Sequence, residues 1–118
     1  YLPPVLIITV GKVMLESGRA ENGSFRYDTG QSAAHLTFEA TSRGLFVHQM
    51  GGILPEQAIE RFEIPEGYQP LTAIAIGYMG EPELLKGRNY EREFEKRTRK
   101  ELSEFVFSGK FGNPADFI

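Results

Sequence analysis

Two adjacent glycines follow a short apolar segment in the middle of the chain. Residues 45–50 are mostly apolar, and Gly51 and Gly52 come directly after them. An apolar run of this length predicts a buried strand. Two glycines at its carboxyl end leave the main chain bare, so a flat ligand can approach the backbone closely. Because open sheets bind ligands beyond the carboxyl ends of their strands, the segment predicts a site for a flat ligand, with a plain strand-to-helix turn as the alternative.

A cationic cluster lies downstream of the glycines. The sequence Arg97-Thr98-Arg99-Lys100 places two guanidinium groups and an ammonium group close together. Guanidinium groups suit a phosphate because they donate paired, charge-assisted hydrogen bonds. Most charged runs are solvated surface, and that interpretation stays open here. A flat group at the glycines and a phosphate at the arginines together describe flavin mononucleotide (FMN), although another flat, phosphorylated ligand would fit the same pattern.

Other chemistries find little support in the residue types. The chain contains no cysteine, which excludes disulfides, thiolate nucleophiles and cysteine-type zinc sites. His35 and His48 are the only histidines, and neither has a companion at metal-ligand spacing, so we predict no metal site. The sequence has no nucleophile elbow, no GxGxxG motif and no P-loop, which removes the local signatures of hydrolases and nucleotide-binding loops.

The bulk composition is that of one domain, residues 1–118. The 118 residues are 41% apolar and 25% charged, with a net charge of −3, which is ordinary for a soluble protein. The acidic excess argues against a nucleic-acid or anionic-membrane partner. The lack of cysteine is compatible with a cytoplasmic location. The chain begins without an initiator Met or a signal-peptide pattern, so we expect a fragment or a processed product.

Strands and helices alternate in the first two thirds of the chain, which predicts a layered domain. The predicted elements are a strand Val5–Val10, a helix capped by Asp28 or Thr29 and ended by Gly44, a strand Leu45–Met50, a helix Pro55–Phe62 and a strand Leu71–Tyr78. The unbroken apolar run of the first strand predicts burial on both faces and a central position in the sheet. The first helix carries few charges, so we expect it to be buried on much of its surface.

The character of the chain changes at Met79, which predicts a core of residues 1–79 and an extended tail of residues 80–118. Residues 80–101 are dense in charge and lack apolar periodicity, so we expect mostly extended chain with a short helix around Tyr90–Lys96. The last part of the tail is rich in phenylalanine but too short to build a core, and must dock on this chain or on a partner. Its phenylalanines are Phe105, Phe107, Phe111 and Phe117.

In their joint order and spacing, these segments resemble the carboxyl-terminal part of the nitroreductase family, which consists of FMN-dependent NAD(P)H oxidoreductases. The matching segments are Pro4–Val10, Tyr27–Gly30, Gly44–Gly52, Ile64–Tyr68, Ala75–Tyr78 and Arg97–Val106. The resemblance implies an α+β fold with a mixed central sheet flanked by helices. It also implies a homodimer in which the carboxyl-terminal tail crosses to the partner and adds to its sheet.

The resemblance also implies residue roles. The flavin ring would lie against Gln49, Met50, Gly51 and Gly52, and its phosphate would be reached by Arg97 and Arg99. Hydride would pass from NAD(P)H through flavin N5 to a nitroaromatic, quinone or similar acceptor. Because the cofactor carries this chemistry, we expect no protein side chain to be catalytic.

One family feature has no counterpart in this sequence. Family members normally begin with a helical region that opens on an Arg-Arg-Ser-type motif, and no segment here matches it. We therefore expect a fold that is incomplete at its amino terminus, either a fragment of a longer reductase or a truncated relative. The second hypothesis is accordingly a non-catalytic dimerisation or interaction module that does not retain flavin.

Overall fold

The computed structural model describes residues 3–116, and these form two compact units, residues 3–79 and 80–116. We call these the first unit and the second unit. In chain order the elements are β1 (Val5–Lys12), α1 (Phe25–Ser42), β2 (Phe46–Met50), α2 (Pro55–Phe62), β3 (Tyr68–Gly77) and α3 (Arg88–Glu93). Among the described residues, no helix combines the length and apolar character that a membrane span requires.

The first unit is a three-stranded sheet with helices packed against it, which confirms the predicted α+β class. The strand order is β1-β3-β2, and both pairings are antiparallel within the described residues. Ile74 of β3 is paired with Ile7 of β1 and with Gln49 of β2, and its side chain is fully buried. The core of the unit is therefore centred on β3, with α1 packed on the sheet through β1 and β2 and with α2 packed on β3.

The predicted central position of the first strand is wrong for this chain. β1 lies at one side of the sheet and pairs with β3. Its first residues, Val5 and Leu6, are 46% and 57% exposed, so β1 is not buried on both faces. The second strand is also less buried than predicted, since Phe46 is 53% exposed. A continuous apolar run indicates that both faces suit burial, but it does not say which neighbour provides the cover.

The first helix begins earlier than the sequence predicts. Ser24 is the N-cap of α1, so the helix starts at Phe25 rather than after Asp28 or Thr29. The Thr29 hydroxyl donates to the Phe25 carbonyl at 2.7 Å inside the helix, and so does not cap it. Phe25 is buried beside Gly11 of β1: a methyl group at position 11 would lie 2.5 Å from its ring carbon Cδ2. This contact fixes the first turn of α1 to the sheet.

The end of α1 follows the prediction closely. Gly44 has φ of 75°, a left-handed conformation that glycine adopts without steric cost. The Leu45 amide donates to the Ala40 carbonyl at 3.0 Å, and the Gly44 amide donates to the Thr41 carbonyl at 3.0 Å. This pair of bonds is the Schellman motif. It turns the chain directly from α1 into β2.

One side of α1 is buried in this chain, in contrast to the predicted burial over much of its surface. The buried residues are Phe25, Ala33 and Ala40, which share the side facing the sheet. Tyr27 and Phe38, on the other side, are 70% and 73% exposed. The helix thus carries an uncovered aromatic side as well as a packed one.

The second helix has the predicted bounds, Pro55–Phe62, with proline in its first turn. Proline suits this position because the amide that it lacks has no partner within a helix. Ala58 is the buried residue of α2, while Phe62 is 60% exposed. The helix ends at Glu63, whose φ of 51° is left-handed although the residue is not glycine.

The second unit contains little regular structure. Two 3₁₀ turns, Pro82–Leu84 and Leu102–Glu104, flank α3 along the chain. The predicted helix over residues 90–96 is found at Arg88–Glu93, so it begins two residues and ends three residues earlier than predicted. Near the end of the unit, the rings of Phe107 and Phe111 meet edge to face with centroids 4.9 Å apart. Phe111 is nevertheless 96% exposed. Phe117, the last phenylalanine of the predicted tail, lies outside the described residues.

Candidate ligand-binding site

The predicted ring-binding segment lies at the carboxyl end of β2. Met50 is the last paired residue of β2, opposite Ala73, and Gly51 and Gly52 follow it without regular structure. Both glycines are exposed. The four predicted ring-binding residues, Gln49–Gly52, therefore comprise the last two residues of β2 and the first two of the loop that leads to α2.

The surroundings of the two glycines are open. A methyl group built on Gly51 or Gly52 meets no atom within 4 Å, and neither residue has φ in the left-handed region. Packing and backbone strain within this chain therefore do not require glycine at either position. Gly11 differs, because a methyl group there would collide with Phe25 at 2.5 Å. A bare, exposed backbone of this kind fits the close approach of a flat ligand.

The Met50 carbonyl is fixed by a side chain of the neighbouring strand. The Thr72 hydroxyl donates to it at 2.5 Å. On its other side, Thr72 is bonded to Thr9 of β1: the Thr72 amide donates to the Thr9 hydroxyl oxygen at 3.2 Å, and that hydroxyl donates to the Thr72 carbonyl at 3.2 Å. These bonds run across all three strands and end at the residue before the glycines.

The Gln49 side chain is held by α1. Its Nε2 donates to the Thr37 hydroxyl at 2.9 Å, and that hydroxyl donates to the Ala33 carbonyl at 2.8 Å. Because the Thr37 proton is directed at Ala33, Thr37 accepts from the Gln49 amide nitrogen, and the amide oxygen Oε1 remains an acceptor for a further group. Side chains alternate along a strand, so His48 and Met50 point to the opposite face from Gln49. Gln49 can therefore offer an acceptor to a ligand donor, such as a ring N–H or a hydroxyl.

The predicted phosphate-binding arginines belong to the second unit. Arg97 and Arg99 lie in an exposed segment without regular structure between α3 and the turn at Leu102–Glu104. Within residues 3–116, the ion pairs are Lys12 with Glu16 and Arg43 with Glu39, so neither Arg97 nor Arg99 is paired with a described carboxylate. The Arg99 guanidinium donates to the Thr98 carbonyl at 2.7 Å. Both cations are thus accessible to an anion, and their convergence with the glycines stays a prediction.

A groove that the sequence does not indicate lies between α1 and the sheet in the first unit. Its volume is about 390 Å³. Apolar side chains, including Ile7, Leu36 and Ile74, line it together with polar ones that include Asp28 and Ser32. Its lining excludes Gln49–Gly52, so the groove is separate from the glycine segment. The lining residues come from β1, α1 and β3, and no local motif brings them together in the sequence.

The comparisons with known proteins agree on one fold. No family model matches the chain. A crystal structure of an oxidoreductase containing FMN matches with a TM-score of 0.82 and 25% identity, over 92% of this chain and 56% of that protein. A nitroreductase family protein from Clostridium difficile 630 matches with a TM-score of 0.69 and 22% identity, over 92% of this chain and 60% of that protein. One from Clostridium novyi NT matches with a TM-score of 0.58 and 18% identity, over 95% of this chain and 54% of that protein.

A sequence relative is also found. It is an uncharacterized 15.4 kDa protein in the ask 5′ region of Mycolicibacterium smegmatis, 37% identical over 87 residues, which are 74% of this chain and 58% of the relative. The chain thus spans little more than half the length of the proteins that it matches. The resemblance predicted from the sequence is confirmed: this chain has the fold of the nitroreductase family.

Proposed function

We propose that this chain is, or is part of, an FMN-dependent oxidoreductase of the nitroreductase type. The observation that supports this proposal most directly is the bare Gly51-Gly52 backbone at the carboxyl end of β2, in a fold shared with an oxidoreductase containing FMN. An exposed main chain with open space around it suits a planar ring. The structural neighbours support an oxidoreductase activity in general. The use of FMN and NAD(P)H and the identity of the acceptor are part of the proposal.

The described residues fit the two ends of this cofactor. Gln49 offers its free amide oxygen, and the backbone of Met50, Gly51 and Gly52 is accessible for contacts with a ring. Arg97 and Arg99 offer exposed guanidinium groups without carboxylate partners in the described residues. The two sets complement the chemistry of FMN, which joins a flat ring with polar edge atoms to a phosphate.

The proposed chemistry resides in the cofactor rather than in a side chain. Bound FMN would supply the chemistry for hydride transfer from NAD(P)H to a nitroaromatic, quinone or similar small-molecule acceptor. Gln49 and the backbone of residues 50–52 would orient the ring, and the guanidinium groups would hold the phosphate. The proposed dimer interface would exclude water from the path of the hydride. We propose that no side chain of this chain acts as a catalytic acid, base or nucleophile. We also propose that the protein is cytoplasmic and binds neither nucleic acid nor membrane.

A homodimer is part of the proposal. The exposed side of α1 carries Tyr27 and Phe38 with the small residues Gly30 and Ala34 between them, and no charged residue of α1 lies among these four positions on the helical wheel. Small residues allow helices to approach closely, and exposed aromatic residues favour burial at an interface. The tail of the second unit, with Phe105 and Phe111 exposed, would dock on the partner.

Titration of the purified chain with FMN, followed by quenching of flavin fluorescence, tests the proposal. We expect saturable binding to the parent chain. Charge-assisted contacts are each worth about 1.5–3 kcal/mol, so the loss of both in Arg97→Ala combined with Arg99→Ala should weaken binding by at least about 150-fold. Arg61→Ala, which removes an exposed cation from α2, is the matched control and should leave the affinity unchanged. Equal affinities for the double variant and the control would remove the two arginines from the site.

The second candidate function is a non-catalytic dimerisation or interaction module. It is favoured by the number of large apolar side chains that the chain leaves exposed, among them Leu6, Phe38 and Phe46. The same titration separates the two candidates. A parent chain that self-associates, does not quench FMN fluorescence and is colourless once unbound FMN has been removed would support the module and contradict the oxidoreductase.

A further inference from the structure

We propose that Thr72 is a positioning residue that fixes the main chain of Met50–Gly52 through its side-chain hydroxyl. The inference rests on the proposed function in one respect, because the segment that Thr72 fixes is the proposed ring-binding backbone. Thr72 itself is half-buried within β3 and is not expected to touch the ring.

The argument begins with the place where β2 stops. The β2–β3 register pairs Met50 with Ala73, so the next position, Gly51, would lie opposite Thr72, but the pairing ends at Met50. At that point the Thr72 hydroxyl donates to the Met50 carbonyl at 2.5 Å. A side-chain bond thus secures the chain where the backbone ladder ends.

Few other described contacts restrain the glycines that follow. No atom lies within 4 Å of a methyl group built on either residue. Outside the regular elements, none of the described backbone hydrogen bonds involves Gly51 or Gly52. A glycine pair without packing samples many backbone conformations. The bond from Thr72 therefore has a large share in the order of this segment.

Threonine is suited to this task for two reasons. Its β-branched side chain has restricted χ1 freedom, which aims the hydroxyl. Its backbone is also anchored on the opposite side, where the Thr9 hydroxyl bonds both the amide and the carbonyl of Thr72 at 3.2 Å. The hydroxyl that reaches Met50 is therefore carried by a fixed strand.

The test compares three variants. Thr72→Val removes the hydroxyl and keeps the branched shape, Thr72→Ser keeps the hydroxyl, and the control Thr29→Val removes a half-buried hydroxyl of α1 that has no bond to Met50. ¹⁵N relaxation of the flavin-free chain measures the order of Gly51 and Gly52. We expect order parameters near 0.85, the range of rigid backbone, in the parent, Thr72→Ser and Thr29→Val, and values toward or below about 0.6 in Thr72→Val. Thr72→Ala replaces Thr72→Val if the latter does not fold.

FMN titration of the same variants provides the functional readout. In Thr72→Val the segment must be ordered when the ring binds, at a cost no larger than the one neutral hydrogen bond that ordered it before. Thr72→Val should therefore bind FMN up to about 13-fold more weakly, and Thr72→Ser should restore the parent affinity. Unchanged order of Gly51 and Gly52 in Thr72→Val, or mobile glycines in the parent, would overturn the inference. If the parent binds no FMN, the proposed function fails, and the relaxation data still decide whether Thr72 positions the segment.

Discussion

A methyl group added at position 11 and one added at position 52 should have opposite consequences. At position 11 the new carbon would lie 2.5 Å from Phe25 Cδ2 and 3.2 Å from the Thr29 hydroxyl oxygen, whereas ordinary carbon contacts are about 3.5–4.0 Å. Phe25 is buried and cannot move without shifting the first turn of α1. Overpacking of a core typically costs about 1–3 kcal/mol, so Gly11→Ala should lower the melting temperature by roughly 4–20 °C.

Gly51→Ala and Gly52→Ala should leave stability almost unchanged. Open space surrounds both positions and neither φ is left-handed, so the expected change in the free energy of unfolding is within about 0.5 kcal/mol. If the flavin ring lies against this backbone, the methyl group separates the two and breaks at least one hydrogen bond. A loss of about 0.5–1.5 kcal/mol per bond corresponds to weaker FMN binding by roughly 2- to 13-fold.

Thermal unfolding by circular dichroism and FMN titration measure the two effects on the same samples. The reasoning requires a lower melting temperature for Gly11→Ala and weaker FMN binding for Gly51→Ala and Gly52→Ala at unchanged stability. Parent-like affinity in both of these variants would show that the ring does not contact the glycine segment. A parent-like melting temperature for Gly11→Ala would contradict the packing of Phe25 on β1.

Four further outcomes are expected. Glu63→Gly should stabilise the chain by about 1 kcal/mol, because Glu63 has φ of 51° and glycine has no penalty there, whereas Glu60→Gly inside α2 should destabilise it by a similar amount; denaturant unfolding measures both. Phe38→Glu should shift the chain toward monomer in sedimentation velocity, with Glu39→Gln as the control, and an unchanged dimer would exclude the exposed side of α1 from the interface. Deletion of residues 101–118 should weaken dimerisation if the tail docks on a partner, and a deletion variant that sediments as the parent dimer would exclude that role. The hydrogen bond from Lys12 lowers the pKa of the Glu16 carboxyl. The small contribution of this bond to stability should be present above the usual carboxyl pKa and lost as pH falls through the lowered pKa. In an NMR titration, Lys12→Met should raise the Glu16 pKa back toward that of an ordinary glutamate.

Local signals in the sequence predicted the elements well where one residue type decides the geometry. Gly44 ends α1 because its φ is 75°, and Pro55 begins α2 because proline fits the first turn. The start of α1 was harder to predict. Asp28 and Thr29 have the composition of a cap, yet the helix begins at Phe25 because its ring packs against Gly11 of β1. Residues fourteen positions apart in the chain make that contact, and a local pattern cannot show it.

In the candidate site too, residues adjacent in sequence could be predicted and contacts between distant residues could not. Gln49–Gly52 are contiguous, so the sequence predicted them together and the structure places them at the end of one strand. Thr72 escaped prediction because it is distant in sequence and reaches Met50 through antiparallel pairing of β2 with β3. The sequence did offer one indication, since Thr72 is a polar residue near the centre of the apolar strand β3. Its hydroxyl needs a partner in a half-buried position, and that partner is the site backbone.

The wrong prediction that β1 is central and buried on both faces is relevant to the proposed dimer. The run Val5–Val10 is apolar at almost every position, which is the composition of a strand covered on both faces. In this chain Val5 and Leu6 remain exposed, as do Tyr27 and Phe38 on the outer side of α1. Exposed apolar surface costs about 25 cal/mol per Å² relative to burial, so side chains of this kind are favoured where another surface covers them. These segments are apolar in composition and yet exposed in this chain, which is what we expect of a chain that associates through them. This mismatch is the physical basis for expecting a dimer.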